Sequence, residues 1–279
     1  AKVSEAAFSS SQVKNFVEQC LSLASKDSLI KIGQQSGFLF ASQGSTTPDY
    51  DSSDEGKLFA FHNGIKVTFF GNNMPPLKKE GQNSIEEQLE AFVESNIDHC
   101  LDFSIFENQG FSIIKKEKSV DASINENNVV FSLDYPLAIE NPDGGKAEIK
   151  ESFSASEVRL KKIYEFISRY IENGPIDSDE FSVDVKKDDS GKNDIIIVGD
   201  EKSLLDGMPY KYFFAQQTDN AGLSSITGAA VSDGNNIPSA DAGLNRTVAL
   251  LVNALLFGSG KDQDNDQITF KWQLVDKPG

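Results

Sequence analysis

Apolar residues repeat every three to four positions in three stretches of the chain, as they do on one face of an amphipathic helix. Gly33 follows the first stretch as a C-cap, and Gly174 closes the third. Ser84 opens the second stretch, with Glu87 at the spacing of a capping box. The pattern predicts three helices, over residues 10–32, 84–101 and 158–171.

Shorter stretches between these helices are typical of β-strands, because their apolar residues alternate with polar ones or lie between turn residues. His62-Asn63-Gly64 predicts a tight hairpin turn. The predicted strands are residues 38–40, 58–61, 65–70, 119–124, 129–135, 146–152, 181–185, 194–198 and 210–215. We expect the strands at 119–124, 129–135 and 146–152 to form a meander. Residues 1–215 are therefore predicted to be an α+β head domain, with helices segregated on an antiparallel sheet.

The composition changes after this region. Residues 216–237 are rich in Gly, Ser, Asn, Asp and Ala, which bury little apolar surface and predict a linker. Within residues 238–279, apolar and polar residues alternate from Ile268 to Leu274 around Trp272, the only tryptophan. This alternation predicts a strand with one buried face.

Residues 238–279 resemble the start of a PKD-type, immunoglobulin-like surface domain. The resemblance lies in an opening Pro-x-Ala-x-Ala-Gly, a Gly-Ser turn, an Asp-rich hairpin and a strand with two aromatics. The residues that carry it are Pro238, Ala240, Ala242, Gly243, Gly258, Ser259, Asp262, Asp264, Asp266, Phe270 and Trp272. The resemblance implies an incomplete immunoglobulin-like β-sandwich and a location at the extracellular cell surface.

The head domain loosely resembles uncharacterised archaeal surface proteins, which carry Val-x-x-Phe-Val-x-x-Cys-Leu followed by Gly-Gln-Gln-x-Gly. The matching residues are Val13, Phe16, Val17, Cys20, Leu21, Gly33, Gln34, Gln35 and Gly37. Such proteins commonly have an N-terminal membrane anchor. We expect any membrane attachment to use an anchor that this chain lacks, and the chain to begin as a mature or trimmed protein does.

An immunoglobulin-like sandwich needs about seven strands in about 100 residues. Only 42 residues follow Ile237, and they supply about three strands. Such strands would expose unpaired edges and apolar surface. We therefore expect residues 238–279 to be completed either by β-pairing with a second chain or by sequence beyond Gly279.

The net charge of the chain argues against two polyanionic partners. Asp and Glu number 43 against 26 Lys and Arg, which gives a formal net charge of -17. Such a charge opposes binding to nucleic acid or to an anionic bilayer. The longest apolar run, residues 247–257, is about half of the roughly 20 residues that a membrane-spanning helix needs.

Few residues point to catalysis. The chain has two histidines, His62 in a tight turn and His99 beside Cys100. A nucleophile and base pair of Cys100 with His99 is not expected, because adjacent residues of a helix face different ways, and both histidines are expected to be solvated. The sequence also lacks the common hydrolase and nucleotide-binding motifs. Carboxylates are too abundant for any one pair to stand out, and most are expected to be solvated.

The two cysteines, Cys20 and Cys100, lie on the apolar faces of their helices. In a reducing compartment they would be two buried thiols, whereas the surface-type domain implies a disulfide between them. A disulfide requires Cα atoms roughly 4.4 to 6.8 Å apart.

Two further sites are conditional. Asp262, Asp264 and Asp266 alternate as Ca²⁺ ligands often do, but Gln267 and Gln273 replace the Gly and Glu of an EF-hand. A looser Ca²⁺ site and a solvated turn remain the two interpretations, and no other cofactor is expected. Asn245 begins the only N-glycosylation sequon, which is modified only if the chain is exported.

The leading hypothesis is a non-enzymatic cell-surface subunit, structural or adhesive, that forms a filament or envelope layer with copies of itself through β-pairing. Cell-surface glycans or proteins are further partners under this hypothesis. The alternatives are a secreted hydrolase that uses carboxylates and a receptor domain that binds a solute or glycan.

Overall fold

The computed structural model of the chain describes residues 2–47, 59–69, 74–78, 83–176, 178–217, 239–241 and 259–261. The backbone forms two compact units, Ala1–Ser225 and Ile226–Gly279. The first unit combines helices with antiparallel sheets and has the predicted α+β fold.

The helices of the first unit are α1 (Lys2–Gln34), α2 (Ile85–Asn96), α3 (Ser104–Glu107) and α4 (Leu160–Asn173), with two short 3₁₀ helices at Ala41–Gln43 and Ile97–His99. The three predicted helices are confirmed as α1, α2 and α4, but α1 begins at Lys2 and α2 ends at Asn96, so that Cys100 lies beyond the helix on which it was predicted. Ser84 caps α2, since its hydroxyl accepts a hydrogen bond from the Glu87 backbone N–H at 3.1 Å. The Glu87 carboxylate in turn accepts from the Asn83 N–H at 2.7 Å.

The end of α1 differs from the prediction, because Gly33 lies inside the helix and is not its C-cap. A Cβ at Gly33 would lie 2.5 Å from the Lys211 carbonyl oxygen. Gly37, with φ of +85°, follows the helix, and a Cβ there would lie 2.5 Å from the Tyr212 hydroxyl. The two glycines of the Gly-Gln-Gln-x-Gly sequence therefore allow the end of α1 to lie close to the strand that carries Lys211 and Tyr212.

The strands of the first unit are β1 (Phe59–His62), β2 (Ile65–Thr68), β3 (Ser112–Lys115), β4 (Ser119–Ile124), β5 (Val129–Glu140), β6 (Lys146–Ser156), β7 (Ser182–Lys187), β8 (Asn193–Leu205) and β9 (Met208–Gln217). Asn63 and Gly64 both have positive φ, which confirms the tight hairpin between β1 and β2. Residues 38–40 are not a strand, and Phe40 forms only an isolated bridge with Thr47. The pattern did not predict β3, which has only four residues and is mostly exposed.

The larger sheet has β5 at its centre. β4 and β3 pair with successive parts of β5, and β6 pairs with both parts, which confirms the meander. α2 covers β4, and the Glu86 and Glu90 carboxylates accept hydrogen bonds from the backbone N–H groups of Ile124 and Ala122 at 3.0 and 3.1 Å. α1 packs along β6. Helical elements therefore cover this sheet at β4 and β6.

The smaller sheet has the order β7, β8, β9, with antiparallel pairing throughout. Both faces of β8 are buried: Ile196 and Val198 join the main core, and Ile195 packs with Ala60 and Val67 of the β1–β2 hairpin. α1 packs against β9. Continuous apolar residues in β8 follow from this burial on two sides.

In the second unit the structure describes two short strands, β10 (Ser239–Asp241) and β11 (Ser259–Lys261), which pair antiparallel. Ser259 is the first residue of β11, although the resemblance implies a turn there. The other strands predicted in residues 238–279 lie outside the described residues, and the immunoglobulin-like sandwich stays a prediction.

Candidate functional site

A disulfide joins Cys20 of α1 to Cys100, which directly follows the 3₁₀ helix Ile97–His99. Their Cα atoms are 5.5 Å apart, within the predicted range. Beside it, the Phe16 ring meets the rings of Phe103 and Phe106 edge-on, with centroids 5.7 and 5.5 Å away. The disulfide is therefore confirmed, and the alternative of two buried thiols is wrong.

The structure shows a local contact for each of the two histidines. His99 is exposed, and its Nδ1 lies 3.2 Å from the Asn96 carbonyl oxygen. His62 ends β1, where its ring meets Phe213 edge-on with a centroid distance of 5.9 Å. The His99 ring thus contacts the end of α2, and the His62 ring packs on an aromatic side chain of β9.

The other predicted site residues, Asp262, Asp264, Asp266 and Asn245, lie outside the described residues. The Ca²⁺ site and the glycosylation of Asn245 therefore stay predictions. Within the part of the chain that the structure describes, no group of three or more His, Cys, Asp and Glu side chains is placed to hold a metal ion.

A surface depression of about 450 Å³ lies beside α2. It is open to solvent and lined mainly by charged side chains, including Glu94, Asp98 and Lys118. Lys118 Nζ lies 2.6 Å from the Asp98 carboxylate. Binding sites for small molecules are usually enclosed and mostly apolar. The depression has the character of a solvated surface.

A buried ion pair joins α4 to the smaller sheet. The Arg159 guanidinium, at the start of α4, donates to both carboxylate oxygens of Asp200 in β8, at 2.9 and 2.5 Å. Asp200 is fully buried, and the Ser203 hydroxyl also donates to it at 2.5 Å. Burial alone would raise the pKa of Asp200, but the hydrogen bonds from Arg159, Ser203 and Lys202 hold it below its usual range.

The same guanidinium fixes the beginning of β7. Arg159 also pairs with Glu180, and its guanidinium carbon lies 5.3 Å from the centre of the Phe181 ring. Ser182, the first residue of β7, comes directly after these two residues. The start of β7 is therefore held to a charged group that is itself buried.

A carboxylate fixes the other end of β7. Asp188 accepts hydrogen bonds from the Lys192 and Asn193 backbone N–H groups at 2.9 and 3.0 Å, which closes the turn into β8. Its neighbour Asp189 accepts from the N–H groups of Asn63 and Gly64 at 2.8 and 2.9 Å. The β1–β2 hairpin is thereby attached to the β7–β8 turn.

Between these two anchors β7 is exposed at every position. It pairs with β8 along one edge, and no other described strand pairs with it. Val183 and Val185 are 36% and 51% exposed, although they lie beside Val198 and Ile196, which are buried. Asp184 and Lys186 lie on the opposite face, where the Lys186 Nζ is 3.0 Å from the Asp184 carboxylate. β7 is thus a fixed edge strand with an apolar face and a charged face.

Sequence reasoning predicted a strand at residues 181–185 but not that it lies at an edge. One signal was available, because charged residues, lysine above all, are common on edge strands. Asp184, Lys186 and Lys187 interrupt this strand, whereas β8 has the uninterrupted run of residues 195–198. That contrast distinguishes the edge strand from the central one.

Among the described residues, no helix is long and apolar enough to span a bilayer. Comparison of the chain with protein-family models, curated proteins and solved structures finds no match.

Proposed function

We propose that this chain is an extracellular, non-enzymatic subunit, structural or adhesive, that assembles with copies of itself through β-strand pairing. The observation that carries the proposal is β7, an edge strand held at both ends and exposed along its length. An edge of this kind offers backbone N–H and C=O groups to a strand from another chain.

The disulfide supports the extracellular part of the proposal. Disulfides persist in oxidising compartments and are rare in reducing ones. Cys20 is 1% exposed, so its sulfur is shielded by the core. A bond in this position is suited to a structural role, since redox-sensing cysteines are generally accessible.

The ionisation of the described carboxylates gives no support to the alternative of a hydrolase that uses a carboxylic acid. An acid catalyst that uses a carboxylic acid needs a raised pKa, so that the group keeps its proton near neutral pH. Among the described carboxylates whose pKa departs from its usual value, each is lowered; these are Asp102, Glu126, Asp184, Asp188 and Asp200. Their hydrogen bonds favour the ionised form, which suits capping and ion pairing.

Sedimentation velocity of the full chain, purified without reductant over a wide concentration range, tests the assembly. We expect species heavier than the 30.5 kDa monomer to increase with protein concentration. A chain that remains monomeric up to about millimolar concentration, where even weak association would be visible, would contradict the proposed function.

Location is tested separately, by alkylating the thiols of intact source cells before lysis. We expect Cys20 and Cys100 to escape alkylation until the protein is denatured and reduced. Alkylation of both cysteines under denaturing conditions, without a reductant, would instead place the chain in a reducing compartment.

A further inference from the structure

β7 has a sequence that complements itself when two copies run antiparallel. Its six residues, Ser182–Lys187, place one Asp before and one Lys after Val185. We propose that β7 of one chain pairs with β7 of a second chain about a two-fold axis through Val185, so that the two smaller sheets become one continuous sheet. This inference rests on the proposed function and specifies the interface that it uses.

Symmetry restricts the register. A two-fold axis perpendicular to the sheet leaves each side chain on its own face, and neighbouring residues of a strand lie on opposite faces. Directly opposed residues must therefore have numbers of the same parity, and the axis must pass midway between a residue and its own copy; such an axis is said to pass through that residue. The choices within the middle of β7 are Val183, Asp184, Val185 and Lys186.

Charge selects among these centres. An axis through Asp184 or Lys186 would place that residue opposite its own copy, and like charges directly opposed destabilise a strand pair. An axis through Val183 would leave the lysines beyond the paired region. An axis through Val185 places Asp184 opposite Lys186 of the second chain, and Lys186 opposite the second chain's Asp184.

The apolar face of β7 is compatible with the same register, in which Val183 lies opposite Lys187 of the second chain. Val185 would face its own copy, beside the buried Ile196 of β8 in each chain. The half-exposed Val185 side chains would then be covered by each other, and the buried row of the smaller sheet would run across both chains. Cross-strand pairs of β-branched side chains and of opposite charges are both stabilising in antiparallel sheets.

Two other edges of the sheets are less suited to such pairing. β4 meets carboxylates of α2 that accept its backbone N–H groups, and β3 has only four residues. Within one chain the Lys186 ammonium lies 3.0 Å from the Asp184 carboxylate. This ion pair is exposed and can be exchanged for equivalent pairs across the interface.

Disulfide trapping of the full chain tests the register. Opposed residues of an antiparallel pair have Cα atoms about 4.5 to 5.5 Å apart, within the range that a disulfide spans. We expect Val185→Cys to form intermolecular disulfide dimers under mild oxidation. Val183→Cys is the matched control, since it lies on the same face of the same strand but about 13 Å from its own copy along the strands.

Charge reversal tests the pairing independently. We expect Asp184→Lys to raise the dimer dissociation constant by at least about tenfold, because two attractive pairs become repulsive. The double variant Asp184→Lys/Lys186→Asp restores both pairs with reversed signs, and we expect its constant to return to within about threefold of the wild type. Circular dichroism checks that both variants are folded.

The outcomes separate this inference from the proposed function. Assembly of the wild type with trapping at Val185 and not at Val183 supports both. The β7 interface is overturned if the wild type assembles but Val185→Cys is not trapped as a dimer, or if Asp184→Lys and Asp184→Lys/Lys186→Asp weaken assembly equally. In either case the proposed function still stands. A wild type that does not assemble overturns both.

Discussion

The disulfide between Cys20 and Cys100 should account for a large share of the stability of the first unit. The two cysteines are separated by 80 residues, and the cross-link therefore restricts a long loop in the unfolded chain. The chain-entropy relation for a loop of this length gives about 15 cal/mol/K, or about 4.5 kcal/mol at 25 °C. We expect Cys20→Ala/Cys100→Ala to lower the free energy of unfolding by about this amount.

Urea unfolding followed by far-ultraviolet circular dichroism is the appropriate assay. Trp272 belongs to the second unit, so its fluorescence would report on residues outside the first. With a denaturant slope of about 3 kcal/mol/M, the midpoint should fall by about 1.5 M. The slope itself should rise, because the unfolded chain expands and exposes more surface without the cross-link.

Single variants provide the control for lost packing. Cys20→Ala and Cys100→Ala each remove the same bond, so each should cost nearly as much as the double variant, and their effects should not add. The wild-type protein in excess reductant should unfold at a similar midpoint. Single effects that sum to the effect of the double variant, or a total loss below about 1 kcal/mol, would show that the cross-link does not restrict the unfolded chain as argued.

The remaining predictions concern a buried ion pair and a glycine. Asp200→Asn leaves the buried Arg159 guanidinium without its main countercharge and should cost about 3 kcal/mol in urea unfolding, whereas an effect below about 1 kcal/mol would contradict the importance of the pair. Because the folded pKa of Asp200 is below its usual 3.8, the wild-type advantage over Asp200→Asn should be constant above about pH 5 and shrink as the pH falls further; an advantage that grows in acid would contradict this sign. Gly37→Ala should cost about 1 to 3 kcal/mol more than Gly64→Ala, because both have positive φ but only Gly37 lies against a buried tyrosine hydroxyl; equal losses would refute that steric argument.

Local elements of the first unit were predictable from the sequence. Three helices, the β1–β2 hairpin and the central meander all follow from the period of apolar residues and from turn residues such as Asn63 and Gly64. These signals are short-range: a helix period, a capping hydroxyl or a positive φ depends on residues only a few positions apart. The ends of elements were less predictable. Gly33 was expected to end α1 but lies inside it, where a Cβ would lie 2.7 Å from the Tyr210 hydroxyl of β9.

The pairing of the cysteines depends on how two separate elements pack together. The sequence placed Cys20 and Cys100 on apolar faces, and this was compatible both with two thiols and with a bond. Only the packing of α1 against the 3₁₀ helix that follows α2 brings the Cα atoms to 5.5 Å. A disulfide depends on distance and direction between two elements, which periodicity within either element does not contain.

The edge position of β7 depended on tertiary structure most of all. Its residues predict a strand, but whether that strand is central or at an edge depends on which strands join it from elsewhere in the chain. Arg159, which pairs with Glu180 before β7, is itself held by Asp200, 41 positions away, and Asp189, in the turn after β7, binds Gly64 of the β1–β2 hairpin, 125 positions away. Sequence by itself determined the local elements of this protein because local energies favour them; the tertiary structure decided which surfaces are buried and which edge is exposed, because those depend on the arrangement of the whole unit.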